Sequence, residues 1–122
     1  MQTVYLDFET YFAPKEKYSL KNLSTLEYIK DPRFLVQCVG IKPAGAPAKV
    51  FWYDEVEDAL MSYNWDDSFV IAHNNAFDAA ILAYRYNIFP WKYGCTRSMS
   101  QALFCGEKSH SLAVTAQRLN LP

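Results

Sequence analysis

The sequence lacks the features of membrane, secreted and fibrous proteins. It has no apolar run near the roughly 20 residues that span a bilayer, and its start has no basic region and soon reaches Asp7, which excludes a signal peptide. Its 4 glycines and 6 prolines are too few for a fibrous or disordered chain. Its 3 cysteines have no Cys-x-x-Cys spacing, which predicts free thiols in a reducing cytoplasm rather than disulfides or a zinc site. We therefore expect a soluble cytoplasmic protein.

Apolar residues are abundant: 51% of the side chains are hydrophobic and 16% are aromatic. A chain of this length buries roughly two-thirds of its unfolded surface, so residues 1–122 predict one domain with a core of its own. The net charge of −1 argues against a protein that coats long nucleic acid by counterion release.

The charges are unevenly divided along the chain. Residues 1–78 hold 12 acidic and 7 basic side chains, whereas residues 79–122 hold 5 basic side chains and only Glu107. This division is either chance or typical of a site that binds cations on one side and a polyanion on the other.

The first half of the chain predicts strands. Residues 4–8 alternate between apolar and polar side chains, which is typical of a strand of about six residues. Residues 34–41 and 48–53, separated by a Pro- and Gly-containing turn, predict two more strands and therefore an antiparallel meander. A short helix is expected around residues 26–29, closed by Asp31-Pro32.

In the second half of the chain, the spacing of apolar residues changes from the period of a strand to that of a helix. Residues 54–64 carry apolar side chains at helical spacing, and residues 69–72 predict a strand buried on both faces. Three further helices are expected at 75–86, with Asn75 as its cap, at 96–104 and at 111–119. Strands that alternate with helices after a meander indicate an α/β domain with a mixed sheet and flanking helices.

The first group of residues that could carry chemistry is Asp7-Phe8-Glu9-Thr10. Residues two apart on a strand share one face, about 6–7 Å from each other. Two carboxylates in this arrangement can share a divalent cation or hold one each. The alternative is that Asp7 and Glu9 only form the solvent-exposed face of an amphipathic strand.

The second group runs from His73 to Asp78, where a strand meets a helix, and ligand sites gather at such junctions. Asp78 is expected in the first helical turn, where it could bring a third carboxylate to Asp7 and Glu9. The alternative is that Asp78 only complements the helix dipole, while His73 and Asn74 satisfy backbone groups of the loop.

At these residues the sequence resembles the DEDD exonucleases. Asp7-Phe8-Glu9-Thr10 is similar to their first motif, and His73 to Asp78, followed by Ile81-Leu82, is similar to their second. The nearest resemblance is to the 3′–5′ proofreading domain of family A DNA polymerases, particularly of phage type. It extends over essentially the whole chain and is supported by Thr25, Tyr28, Asp31-Pro32-Arg33-Phe34, Cys95-Thr96 and Ser111-Leu112.

The resemblance implies a ribonuclease-H-like fold and an exonuclease that removes nucleotides from single-stranded DNA 3′ ends with two divalent ions, Mg²⁺ or Mn²⁺. It implies that Asp7, Glu9 and Asp78 are the catalytic metal ligands. It also implies a bacterial or phage-infected host cell and a possible downstream polymerase domain. The positions that match substrate-contacting residues are Phe8, Thr10, Asn74 and Phe77, although Phe77 is equally expected as a core residue of its helix.

The sequence departs from the family at the third motif, a Tyr or His followed four residues later by a fourth carboxylate. After Asp78 the only acidic residue is Glu107, and neither His110 nor any tyrosine there has a carboxylate four residues on. We therefore expect an incomplete, C-terminally truncated exonuclease domain that is impaired or inactive by itself. Two alternatives stay open: a weakly catalytic module for nucleic-acid binding or interaction, and an RNA-directed DEDD exoribonuclease.

Overall fold

Strands and helices alternate along the computed structural model, which describes all 122 residues. No helix is long and apolar enough to cross a membrane. The strands are β1 (Gln2–Thr10), β2 (Val36–Pro43), β3 (Lys49–Trp52), β4 (Ser68–Ala72) and β5 (Lys92–Cys95). The α-helices are α1 (Thr25–Lys30), α2 (Glu55–Met61), α3 (Asn75–Tyr86), α4 (Thr96–Leu103) and α5 (Leu112–Arg118).

All five strands form one mixed sheet, in the order β3-β2-β1-β4-β5. The first three strands pair antiparallel, which confirms the predicted meander. β4 then adds parallel to β1, and β5 adds parallel to β4. β1 therefore lies at the centre of the sheet, with the carboxyl ends of three parallel strands at one edge.

The core lies on one face of this sheet. Val4, Leu6 and Phe8 alternate along β1 and are at most 4% exposed. They pack in one apolar cluster with side chains from α1, α2 and α3, including Tyr28, Leu60 and Ile81. The opposite face of β1 carries the exposed side chains Tyr5, Asp7 and Glu9, so the sheet has a packed face and an open one.

One prediction about the strands is wrong, and one strand was missed. The 69–72 strand is not buried on both faces, because Phe69 and Ile71 lie half-buried on the open face while Val70 and Ala72 are buried. The fifth strand was not predicted, since Lys92–Cys95 shows no alternation of apolar and polar residues. Its position beside β4 leaves no room for a side chain at Gly94, because a Cβ there would lie 3.0 Å from Cζ of Phe69.

The start of α3 also differs from the prediction. The capping residue is Asn74, in the left-handed region at φ 64°, and its side chain makes no capping hydrogen bond. Asn75 is instead the first helical residue and is 3% exposed. Its Nδ2 donates to the carbonyl oxygens of Val70 (3.1 Å) and Gly94 (2.8 Å), so one side chain ties α3 to both β4 and β5.

We expect Asn75→Ala to lower the free energy of unfolding by about 1–3 kcal/mol, because two buried carbonyls lose a donor. Urea denaturation followed by circular dichroism measures the change. Asn22→Ala is the control, since the Asn22 side chain is exposed and accepts a hydrogen bond only from Ser19. Equal, small effects of both substitutions would contradict this role of Asn75.

Candidate metal centre

β1 presents two of the three predicted carboxylates. Its alternation buries Leu6 and Phe8 and leaves Asp7 and Glu9 exposed on the opposite face. The sequence prediction that these carboxylates share one face is therefore confirmed. Exposure alone is equally compatible with the solvent-exposed face of an amphipathic strand. The position of the third carboxylate, Asp78, therefore distinguishes this alternative from a cation-binding pair.

The first turn of α3 brings Asp78 to the strand backbone between Asp7 and Glu9. Asp78 is 3% exposed, and its Oδ1 accepts a hydrogen bond from the backbone N–H of Phe8 at 3.1 Å. Phe8 is the residue between Asp7 and Glu9. The buried carboxyl of α3 is thus bonded to the strand segment that carries the other two. Complementing the helix dipole does not require this burial.

The three carboxyl groups influence one another. Burial raises the pKa of Asp78 from 3.8 to about 7; the Phe8 N–H lowers this pKa, while the negative charges of Asp7 and Glu9 raise it. Partial desolvation by neighbouring protein also raises the pKa of Asp7, although its side chain is exposed overall, and nearby His73 opposes this shift. Without a cation, the site therefore favours a protonated Asp78.

The chemistry of this donor set fits a divalent cation. All three side chains offer carboxylate oxygen, the ligand that Mg²⁺ and Mn²⁺ prefer. A bound cation would favour the ionised form of each carboxyl and so reverse the effect of burial on Asp78. However, no three His, Cys, Asp or Glu side chains lie close enough to form a ready-made metal cluster. The metal-binding roles of Asp7, Glu9 and Asp78 therefore stay predictions.

A cleft of about 230 Å³ opens beside Glu9. Three of the predicted substrate-contacting residues, Phe8, Thr10 and Phe77, line it. Phe77 also packs half-buried against the core, which confirms the expected core role, while its contact with substrate stays a prediction. The remaining lining side chains are Glu9, Phe12, Ser19, Leu20 and Tyr28.

Tyr28 is the cleft residue that sequence reasoning missed as a site residue, although it is among the residues that carry the resemblance. Its hydroxyl donates to the Tyr11 carbonyl and lies 2.8 Å from the Thr10 hydroxyl, which it holds in place. Its ring lies 6.0 Å from the ring of Phe77. The sequence shows Tyr28 only as an aromatic residue of the short helix. The fold is needed to bring that helix to the end of β1.

Asn74 and the residues around the missing third motif lie outside this cleft. Asn74 is exposed at the start of α3. Glu107 lies 3.7 Å from Arg118, and His110 bonds to Ser100 at 2.9 Å. Both side chains therefore have partners within the C-terminal part of the chain, and their use in place of the third motif is not supported by these contacts.

Solved nuclease structures share this fold. NrnC of Brucella melitensis matches with a TM-score of 0.68 and 20% identity, over 98% of this chain and 53% of that one. NrnC with bound Mg²⁺ matches with a TM-score of 0.67 and 22% identity, over 98% of this chain and 54% of that one. NrnC bound to pGG matches with a TM-score of 0.67 and 20% identity, over 98% of this chain and 53% of that one. The chain spans about half the length of these structures. No protein-family model matches the sequence, and no curated protein does.

These matches confirm the predicted α/β fold of the ribonuclease-H-like nuclease type. They are nucleases rather than polymerase domains, so the closer likeness to proofreading domains stays a prediction. At these identities the likeness establishes the fold, and activity has to be argued from the site.

The raised pKa of Asp78 predicts how stability depends on pH in metal-free buffer. The folded state holds a proton between pH 3.8 and about 7 that the unfolded state releases. The stabilisation from Asp78 is therefore complete below pH 3.8 and is lost as the pH rises through 7. Asp78→Asn keeps an acceptor for the Phe8 N–H but cannot ionise. We expect this variant to exceed the native protein in stability by up to about 4 kcal/mol at pH 8, with little gain near pH 4.

Chemical denaturation with a chelator at several pH values measures this difference. Asp66→Asn is the control, because Asp66 is exposed on the short turn before β4. A stability gain from Asp78→Asn that is the same at pH 4 and pH 8 would contradict the buried, titrating carboxyl.

Proposed function

We propose that this chain carries the first part of the active site of a metal-dependent 3′–5′ exonuclease, in which Asp7, Glu9 and Asp78 hold divalent Mg²⁺ or Mn²⁺. The hydrogen bond from the Phe8 N–H to Asp78 carries the proposal, because it joins the third carboxyl to the strand segment between the other two. The nuclease fold supports it. The solved NrnC structure with bound Mg²⁺ supports the choice of ion.

The protein's own part in the chemistry is to hold and orient charge. Divalent ions, when bound, supply a nucleophilic hydroxide and neutralise charge on the departing oxygen. Asp78 is fixed by burial and by the Phe8 N–H, so it is the rigid member of the set. Asp7 and Glu9 project from the central strand, which pairs with β2 along this segment, whereas its pairing with β4 ends at Tyr5.

The cleft beside Glu9 supplies a place for the terminal nucleoside. A base can pack against the aromatic side chains of Phe12 and Phe77 there, because stacking on aromatic rings holds single-stranded nucleic acid without base-specific contacts. The Thr10 hydroxyl is held by Tyr28 and can orient the sugar. A few terminal nucleotides held this way do not require a strongly basic protein, which agrees with the net charge of −1.

The substrate is RNA or DNA, and we favour a short RNA. The structural neighbour bound to pGG supports the RNA-directed alternative, whereas only the polymerase-like spacer residues such as Thr25 favour proofreading of DNA. The fourth carboxylate of the family pattern does not occur among residues 79–122. We therefore propose that this chain by itself binds metal and substrate ends but turns over slowly, which keeps the binding-module alternative open.

Metal binding is expected to depend on pH. Asp78 has a pKa of about 7 in the metal-free protein, so a cation must displace its proton below neutral pH. The affinity for Mn²⁺ should rise about tenfold from pH 6 to pH 7.5 and then level off. Calorimetry in two buffers of different ionisation enthalpy measures the affinity and the proton release together. Binding that is independent of pH, or undiminished in Asp78→Asn, would contradict the assignment.

The substrate class is tested with 5′-labelled oligonucleotides two to five nucleotides long, as RNA and as DNA, with Mn²⁺. We expect stepwise shortening from the 3′ end, at least tenfold faster on RNA than on DNA. The rate of shortening should fall at least 100-fold in both Asp7→Asn and Asp78→Asn. The control is Asp66→Asn. Faster shortening of DNA would favour the proofreading interpretation, and tight binding of the ends without shortening would favour the binding module.

A further inference from the structure

The two C-terminal helices form a hairpin with an unusual interior. The buried residues of α4 and α5 are both polar, Ser100 (1% exposed) and Thr115 (8% exposed). Their hydroxyls lie 2.9 Å apart. Three large apolar side chains of the hairpin are exposed instead, since Met99, Leu103 and Leu112 are 46–69% exposed, and Phe104 and Val114 are only half-buried. Apolar burial, the usual force that holds a helix to a sheet, therefore contributes little here.

His73 provides the attachment. It stands directly after β4, and its Nε2 lies 2.8 Å from the carbonyl oxygen of His110, in the loop between the two helices. A carbonyl only accepts, so Nε2 carries a hydrogen and donates it. The other ring nitrogen, Nδ1, lies 2.9 Å from the hydroxyl of Thr96 at the start of α4. One side chain thus reaches the start of α4 and the loop just before α5.

The polar chain continues into the hairpin. Nδ1 of His110 lies 2.9 Å from the hydroxyl of Ser100, which in turn meets Thr115 on α5. His73, His110, Ser100 and Thr115 therefore form an unbroken sequence of hydrogen-bond contacts from the sheet to the last helix. Every member is bonded to its neighbours, and such satisfied networks fix one arrangement of their elements.

This hairpin forms one wall of a second cleft of about 200 Å³, which borders Asp7 on the open face of the sheet. Leu112 of α5 and Thr96 of α4 lie on the hairpin side, and Tyr5, Asp7 and Ile71 lie on the sheet side. His73 lines the cleft at their junction. The position of the hairpin therefore decides how closely protein surrounds the Asp7 carboxyl.

We propose that His73 is a positioning residue: it latches the α4–α5 hairpin to the end of β4 and so fixes the cleft wall beside Asp7. The latch stands on the hydrogen-bond distances alone, whereas its consequence for metal binding rests on the proposed function. Without the latch the hairpin swings away as a unit, and Asp7 gains rotational freedom and solvent. A carboxylate held in one orientation binds a cation more tightly than one that must first be ordered.

Hydrogen exchange tests the latch directly. In His73→Leu, which keeps bulk but no polar atom, we expect amide protection in the second halves of α4 and α5 to fall at least tenfold, while β1 and α3 keep theirs. In His73→Gln the side-chain amide can donate to the His110 carbonyl, and protection should stay within threefold of the native protein. Gln117→Ala, at an exposed position of α5, is the control.

Unchanged hairpin protection in His73→Leu would overturn the latch, and so would an equal loss in His73→Gln, since hydrogen bonding would then not be the cause. If His73→Leu does not fold, Thr96→Val serves instead, because it removes one bond and keeps the side-chain shape. A threefold loss of protection confined to the hairpin supports the latch in that variant, and no loss overturns it.

Mn²⁺ affinity tests the positioning role. We expect His73→Leu to bind Mn²⁺ three- to tenfold more weakly and His73→Gln to stay within twofold, as measured by electron paramagnetic resonance. Loss of hairpin protection with unchanged Mn²⁺ affinity would overturn the positioning role. Absence of Mn²⁺ binding in the native protein would instead refute the proposed function, and the exchange experiment would still decide the latch.

Discussion

The hydrogen bond from the Phe8 N–H to the Asp78 carboxyl is the constraint on which the rest of the site depends. It joins residues that are 70 positions apart, and it fastens the first turn of α3 to the central strand at the point where two other carboxylates project. Asn75 secures the same turn from its other side through β4 and β5. A buried carboxyl with a raised pKa is unfavourable for stability when ionised, and carboxyl groups of this kind are common at functional sites.

Local periodicity predicts the parts of the site but not their assembly. The alternation of Val4, Leu6 and Phe8 suffices to predict β1 and to place Asp7 and Glu9 on one face. The helical pattern after Asn75 likewise places Asp78 in a first turn. The contact between Asp78 and Phe8 depends on parallel pairing of β1 with β4, which local sequence does not encode. The fifth strand was missed for the same reason, because Lys92–Cys95 has no alternating pattern of its own and forms a strand by pairing parallel with β4.

The two faces of the sheet differ in how they are held. Three helices cover the packed face with apolar side chains, and this part of the fold follows from hydrophobic burial. The open face carries Asp7 and Glu9 and is bordered only by the polar-cored hairpin, which His73 connects to β4. The basic excess of residues 79–122 lies mostly in this hairpin, at Arg97, Lys108 and Arg118. The uneven division of charge along the sequence thus has a spatial counterpart, with carboxylates on the central strand and cationic side chains on the helices that follow β5.

Electrostatic repulsion disfavours a ready-made cluster of three ionised metal ligands, and the structure contains none. Three carboxylates near one point repel each other unless a proton or a cation lies among them. Asp78 is fixed by the fold, and its burial, with a smaller contribution from the charges of Asp7 and Glu9, raises its pKa to about 7. Asp7 and Glu9 are exposed because the alternation of β1 places their side chains on the open face. The fold therefore provides one rigid, buried carboxyl, bonded to the strand segment from which the two exposed carboxylates project. In the metal role proposed for these residues, a cation would displace a proton from Asp78 near neutral pH, because the pKa of Asp78 is about 7.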